Sequence, residues 1–167
     1  MIETGRLLLK EINENHVEDI LRIRSNEFIN RFVQRKSPKS NYDALQFILT
    51  IKENTRNNQT LYLGISLKDQ TNLIGTICLW NFSEDRKTAE VGYELLPDYH
   101  RQGIMSEALE AVLDYGFNHL HLHKILAFTH RLNESSRALL LKQGFVLEEG
   151  RKDEENLKIE IFSLKKR

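Results

Sequence analysis

The chain has 167 residues, with 24 Lys plus Arg balanced by 24 Asp plus Glu and a single cysteine, Cys78. A chain of this length fits one domain spanning residues 1–167, able to bury roughly 68–70% of its unfolded surface. The balanced charge provides no field that would steer it onto nucleic acid or an anionic membrane, and the lone cysteine excludes an internal disulfide and fits a reducing compartment.

The N-terminal run MIETGRLLLKEI is neither a basic-then-apolar leader nor a spanning segment, and no later apolar run approaches the ~18 residues that a membrane helix needs, so the expected location is cytoplasmic. Within it, Arg6 to Ile12 is a short strand. Val17, Ile20, Leu21 and Ile23 or Arg24 then recur at helical spacing. Ser37 to Ser40 is a break around Pro38, and a second helix is expected from Asn41, with Asn41 as its cap and Ala44, Phe47, Ile48 and Ile51 as its stripe; it ends at the polar NTRNNQ. LYLGISL and LIGTICLWNF read as an antiparallel hairpin, followed by a third strand, TAEVGYELL. A helix from about Gly103 to Leu120 has Met105, Ala108, Leu109, Val112, Leu113 and Phe117 on one face and Glu107, Glu110, Asp114 and Asn118 on the other. KILAFTH is a buried strand, NESSRALLLKQG a helix stopped at Gly144, and FVLEE with LKIEIFSLK close the chain. The expected fold is therefore α/β, with a central, mixed and mostly antiparallel sheet of about seven strands flanked by about four helices.

The stretch HRQGIMSEAL, His100 to Leu109, turns from a strand directly into a helix. The first amides of a helix have no partner inside it, and with the positive end of the dipole behind them they suit phosphate oxygens. Gly103 permits a positive φ or close backbone approach, and His100, Arg101 and Gln102 add donors around it. Neither the Walker A spacing nor a G-x-G-x-x-G fingerprint is present.

The wider run from Glu90 to Phe145 resembles the GNAT superfamily of N-acetyltransferases, and within it the ribosomal-protein N-acetyltransferases of bacteria (the RimJ/RimL type). The pattern Q/R-x-x-G-x-G/A, which binds the pyrophosphate of acetyl-CoA in that family, falls on His100, Arg101, Gln102, Gly103, Ile104 and Met105, with Ser106 next. The second signature falls on Asn133, Ser136, Gly144 and Phe145. His100 and Met105 depart from the pattern, and position 140 is Leu where many members have a tyrosine that protonates the departing thiolate.

The resemblance implies a GNAT-like domain with acetyl-CoA as cosubstrate and acetyl transfer to a primary amine in a ternary complex. The acceptor would be a protein N-terminus, such as that of a ribosomal protein, or a small amine such as an aminoglycoside or polyamine. It further implies that TAEVGYELL and KILAFTH part to admit the pantetheine arm, which backbone groups of Leu95 and Leu96 bond, that Asn133 lies at the cofactor site, and that Ser136 is the acid. A homodimer is compatible with it. For the base, Glu90 and Glu94 share one face of their strand, Glu154 and Glu155 lie in a loop where the ribosomal-protein branch carries an acidic residue, and Glu90 is preferred. Leu140 and the open choice of base also fit a CoA-binding sensor without turnover. The alternating His119, His121 and His123 suggest a metal, but no cysteine or paired carboxylate completes a set, so no metal is expected. Cys78, in an alternating apolar strand, is expected to be a buried hydrophobe.

Overall fold

The computed structural model describes residues 1–167. Its strands are β1 (Ile2–Glu3), β2 (Leu7–Glu11), β3 (Thr60–Leu67), β4 (Gly75–Trp80), β5 (Thr88–Leu95), β6 (Lys124–His130), β7 (Val146–Leu147) and β8 (Ile159–Lys165). Its helices are α1 (Val17–Arg24), α2 (Glu27–Asn30), α3 (Asn41–Arg56), α4 (Ile104–Asn118) and α5 (Glu134–Lys142), with short 3-10 turns at Glu14–His16 and Pro97–Tyr99. All eight strands form one sheet in the order β1-β2-β3-β4-β5-β6-β8-β7. Every neighbouring pair is antiparallel except β5 and β6. A parallel pair needs a long crossover, and α4 supplies it.

The sheet has one strand more than expected because the two-residue β1 folds back on β2, pairing Ile2 with Leu9. The extra helix is α2, one turn long and capped by Asn26, whose side chain accepts from the Ile29 amide at 3.0 Å. Two local expectations are corrected. The cap of α3 is Ser40, whose Oγ accepts from the Asp43 amide at 3.2 Å, while Asn41 is the first helical residue. The helix also runs on through Asn54, Thr55 and Arg56, because Ala44 and Ile48 are buried in its body and tertiary packing carries a polar last turn.

Two apolar clusters sandwich the sheet. The larger, of 21 buried residues, joins Ala108, Leu109, Val112 and Leu113 of α4 and Leu140 of α5 to Ala89, Val91 and Leu95 of β5. The smaller, of seven, joins Ile20 and Ile23 of α1 and Ala44 and Ile48 of α3 to Tyr62 of β3. Each fully buried Leu or Ile contributes roughly 1.5–3 kcal/mol relative to exposure. Successive strand residues face opposite sides, so β5 presents Ala89, Val91, Tyr93 and Leu95 to the α4 and α5 layer. Glu90, Gly92 and Glu94 then face the α1 and α3 layer.

Candidate active site

The centre of the sheet parts partway along. The β5–β6 ladder pairs Thr88 to Val91 with Lys124 to Ala127 and stops there, whereas β5 continues to Leu95 and β6 continues to His130 against β8. The Leu96 amide bonds the Ile74 carbonyl on the β4 side at 2.9 Å, so by alternation the amide and carbonyl of Leu95 point into the split. His100 Nε2 meets that Leu95 carbonyl at 2.8 Å.

The loop leaving β5 builds the second part of the site. Arg101 and Gly103 both take positive φ, at 61° and 73°. Gly103 is the N-cap of α4 and, having no side chain, caps nothing. The first helical bond here runs from the Glu107 amide to the Gly103 carbonyl at 3.1 Å. None of the six amides from Arg101 to Ser106 donates a hydrogen bond, so they form a continuous set of free donors at the positive end of a 15-residue helix.

Side chains brace this loop from outside. Arg6 Nη1 donates to the Gln102 carbonyl at 2.9 Å and Arg6 Nε to Glu107 Oε1 at 2.9 Å, while Thr4 Oγ1 donates to Glu107 Oε2 at 2.5 Å. Burial raises the Glu107 pKa, but the bonds from Thr4 and Arg6 outweigh it and hold the carboxyl below its ordinary range. Gln102 ties its side chain to the Asp98 carbonyl at 3.1 Å, and Ser106 Oγ accepts from Gln143, the C-cap of α5, at 2.9 Å. Ile104 is buried and Met105 packs against the core. Of the predicted loop residues, His100 alone turns its ring to the split, where it also lies 5.8 Å from the Phe28 ring.

Ser136 enters from the α4 and α5 side. Asn133 caps α5 by accepting from the Ser136 amide at 3.2 Å, so the Asn-x-x-Ser spacing has a local structural cause. Ser136 Oγ lies 2.6 Å from the hydroxyl of Tyr93. Burial pushes the Tyr93 phenol up to about 12, offset in part by this bond, so it is a protonated donor at neutral pH. Leu140 is fully buried in the core and offers no hydroxyl. The pairing of Tyr93 with Ser136 spans 43 residues and has no signature in sequence spacing.

The four candidate carboxylates separate clearly. Glu90 is 9% exposed and accepts from Asn81 Nδ2 at 3.3 Å. Burial raises its pKa, with Asn81 lowering, Asp153 raising and Arg151 lowering it in turn. Glu94 is held by both terminal nitrogens of Arg35, with Arg24 Nη1 at 3.9 Å, so its charge is already answered. Glu154 and Glu155 are exposed and make no side-chain hydrogen bond; their neighbour Asp153 is the loop acid close enough to influence Glu90.

No group of three or more His, Cys, Asp or Glu side chains is placed to hold a metal ion. His119 stacks on Tyr115 at 4.9 Å between ring centres. Burial pushes the Cys78 thiol up to about 12, which leaves it a poor nucleophile. No helix is long and apolar enough to cross a membrane.

The acetyltransferase (GNAT) domain family matches residues 6–146. An uncharacterised N-acetyltransferase, YoaA, of Bacillus subtilis (strain 168) is 34% identical over 145 residues, covering 87% of this chain and 82% of that protein. The ribosomal-protein-serine acetyltransferase of Escherichia coli (strain K12) is 34% identical over 76 residues, 46% of this chain and 42% of that one. The fold is also that of spermidine N-acetyltransferase from Vibrio cholerae, solved with CoA and spermine: the TM-score is 0.82 at 21% identity, covering 97% of this chain and 96% of that one.

Proposed function

The chain belongs to the GNAT family of acetyltransferases, and on that premise we propose that it transfers the acetyl group of acetyl-CoA directly to a primary amine at the β5–β6 split. One observation carries the reading: the strand that parts from its neighbour leads straight into six consecutive free amides at a helix N-terminus. A split strand edge suits an extended chain bearing amide groups, and free helix amides suit a pyrophosphate. Arg101 to Ser106 hold the pyrophosphate through their backbone, and the Leu95 amide faces the arm.

Acetyl-CoA supplies an acetyl thioester. In transfer, an N–C bond forms and the C–S bond breaks; the amine loses a proton and the sulfur gains one. The Leu95 amide is the donor for the charge that develops on the carbonyl oxygen. Glu90, with its pKa raised by burial, takes the amine proton through a water. Ser136 gives the proton to sulfur; in this step the Tyr93 hydroxyl, 2.6 Å from Ser136 Oγ, serves as the donor of their shared bond and leaves the serine hydrogen free to point outward. Glu90 and Ser136 stand on opposite sides of the sheet, and the split opens beyond Val91, the residue after Glu90.

A CoA-binding sensor without turnover rests on Leu140 and the open choice of base. Tyr93 supplies the hydroxyl partner that position 140 lacks, and Glu90 is a buried carboxylate of raised pKa, which favours turnover. For the acceptor, a protein N-terminus is supported by the Escherichia coli relative, which is named for a ribosomal protein. The test combines calorimetric titration of acetyl-CoA with an assay of free-thiol release. Micromolar binding that free pantetheine does not reproduce, with Ser136→Ala lowering kcat roughly 10²–10⁴-fold at unchanged affinity, is expected. No binding at millimolar acetyl-CoA by folded protein overturns the reading.

A further inference from the structure

The α1 and α3 side of the split holds a cation that the chain itself does not satisfy. Arg24 ends α1, and its guanidinium stacks over the Phe47 ring, 3.8 Å from the ring centre. Its side chain is only 17% exposed, and its nearest anion, Glu94 Oε1, lies 3.9 Å away, beyond hydrogen-bond range. The Arg24 carbonyl is well used, accepting from Asn30 Nδ2 at 2.7 Å and from Arg35 and Ser37 at 3.5 Å. The guanidinium donors make no hydrogen bond at all. None of its nitrogens is sealed from solvent, so these donors stay reachable by an incoming acceptor.

Glu94 cannot do so, because Arg35 already engages both of its oxygens. Arg35 also donates to Asn30 Oδ1 at 2.6 Å and still leaves its own Nε buried without a partner. Two guanidinium charges against one carboxylate leave one positive charge in excess and a shortage of acceptors. The deficit lies beside the proposed reaction centre, since Glu94 adjoins Leu95 on the unpaired end of β5. The same strand face carries no side chain at Gly92, where Cys78 Sγ fills the room an added Cβ would need, 3.3 Å away, with Trp80 Nε1 at 3.9 Å. Trp80 itself is 46% exposed.

We propose that Arg24 reads the acceptor, its guanidinium taking a carboxylate carried by the substrate beside the amine that is acetylated. This rests on the acetyltransferase reading and narrows it. Planar guanidinium and carboxylate match in two parallel hydrogen bonds, and the Phe47 face holds the guanidinium plane in place. The carboxylate comes either from a free amino acid or from an acidic side chain next to a free N-terminus. A polyamine brings only further positive charge to a wall that is already cationic.

Thiol release with saturating acetyl-CoA is measured on matched acceptors: amino acids against their carboxamides, seryl-glutamate amide against seryl-glutamine amide, and spermidine. The first pair reports an α-carboxylate and the second a side-chain carboxylate. At least one acid is expected to exceed its uncharged partner in kcat/KM by roughly 10- to 100-fold, as a charge-assisted hydrogen bond implies. Arg24→Gln should bring that preference toward parity with acetyl-CoA affinity unchanged by calorimetry, and Arg24→Lys should restore part of it. Equal or better use of the uncharged partners or spermidine, an unchanged preference in Arg24→Gln, or silence of both acid series in protein that binds acetyl-CoA would each overturn the proposal. Failure to bind acetyl-CoA overturns the function beneath it and is seen separately in the calorimetry.

Discussion

The two ends of the site are built from different material. At the start of α4, donors come from the backbone of Arg101 to Ser106, and side chains such as Arg6, Gln102 and Glu107 only hold the loop in shape. Along β5 the polar groups are side chains, Glu90 and Glu94 on one face and Tyr93 on the other: Glu90 meets Asn81 just beyond β4, while Glu94 and Tyr93 meet Arg35 and Ser136 from distant parts of the chain. A backbone site tolerates most side-chain changes and fails when φ/ψ fails. A side-chain site fails residue by residue, so it is the end at which relatives with one fold can diverge in acceptor.

This contrast can be broken most sharply at Glu90. Glu90→Gln should lower kcat by roughly 100-fold, the ordinary worth of a positioned base, and remove the acid-side limb of the kcat pH profile. In wild-type protein that limb should lie above the ordinary carboxylate range, because burial raises the Glu90 pKa. The stability sign is opposite. The folded state keeps its proton to higher pH than the unfolded chain does, so stability falls as pH rises from the unfolded pKa through the raised folded one. The Gln variant should therefore melt higher than wild type at neutral pH and no higher at pH 3.

Gly103→Val tests the backbone end. Its Cβ would meet only Arg6 Nη2, at an ordinary 3.4 Å, so the damage comes from a β-branched residue at φ 73°. Acetyl-CoA affinity should fall by about 30-fold by calorimetry, from strain and misaligned amides together. An equal loss in Arg101→Ala would show that the site is read by side chains after all. Tyr93→Phe comes next, removing the hydroxyl 2.6 Å from Ser136 Oγ. We expect kcat to drop about 10-fold with acceptor KM little changed, and almost no further drop when Ser136 is already Ala. An additive double variant would make Tyr93 a packing residue only.

The smallest effect should lie outside both ends. Hydrogen bonding from Lys124, reinforced by Arg151 and Ser163 and opposed by burial, holds Glu148 down to about 2. Such a group stabilises the fold above its unfolded pKa of ~4.3, and that contribution is lost as pH falls through the folded value. Glu148→Gln should lower Tm slightly at pH 7, and the gap should close as the pH is taken toward 2.

Much of this molecule is written locally. The apolar stripe Ala108, Leu109, Val112, Leu113 specifies α4, the Asn133 cap specifies the start of α5, and Gly103 marks the turn where helix amides are left free. Each is settled within a few residues by helical period, capping and allowed φ/ψ, so the free-amide start of α4 is legible from the chain alone. On the opposite face of the sheet the cap of α3 is Ser40 and not the expected Asn41, because Ser40 is the residue whose backbone is extended. The split between β5 and β6, the Tyr93–Ser136 pair, the capture of Glu94 by Arg35 and the unanswered Arg24 were decided only in three dimensions. They join residues 43 and 59 positions apart in the pairs that matter most. Local periodicity puts Glu90, Glu94 and Tyr93 on a strand and gives each a face. Only the packing of helices on both sides of the sheet determines which of them meets a cation, which meets a hydroxyl, and which stays buried with its proton in play.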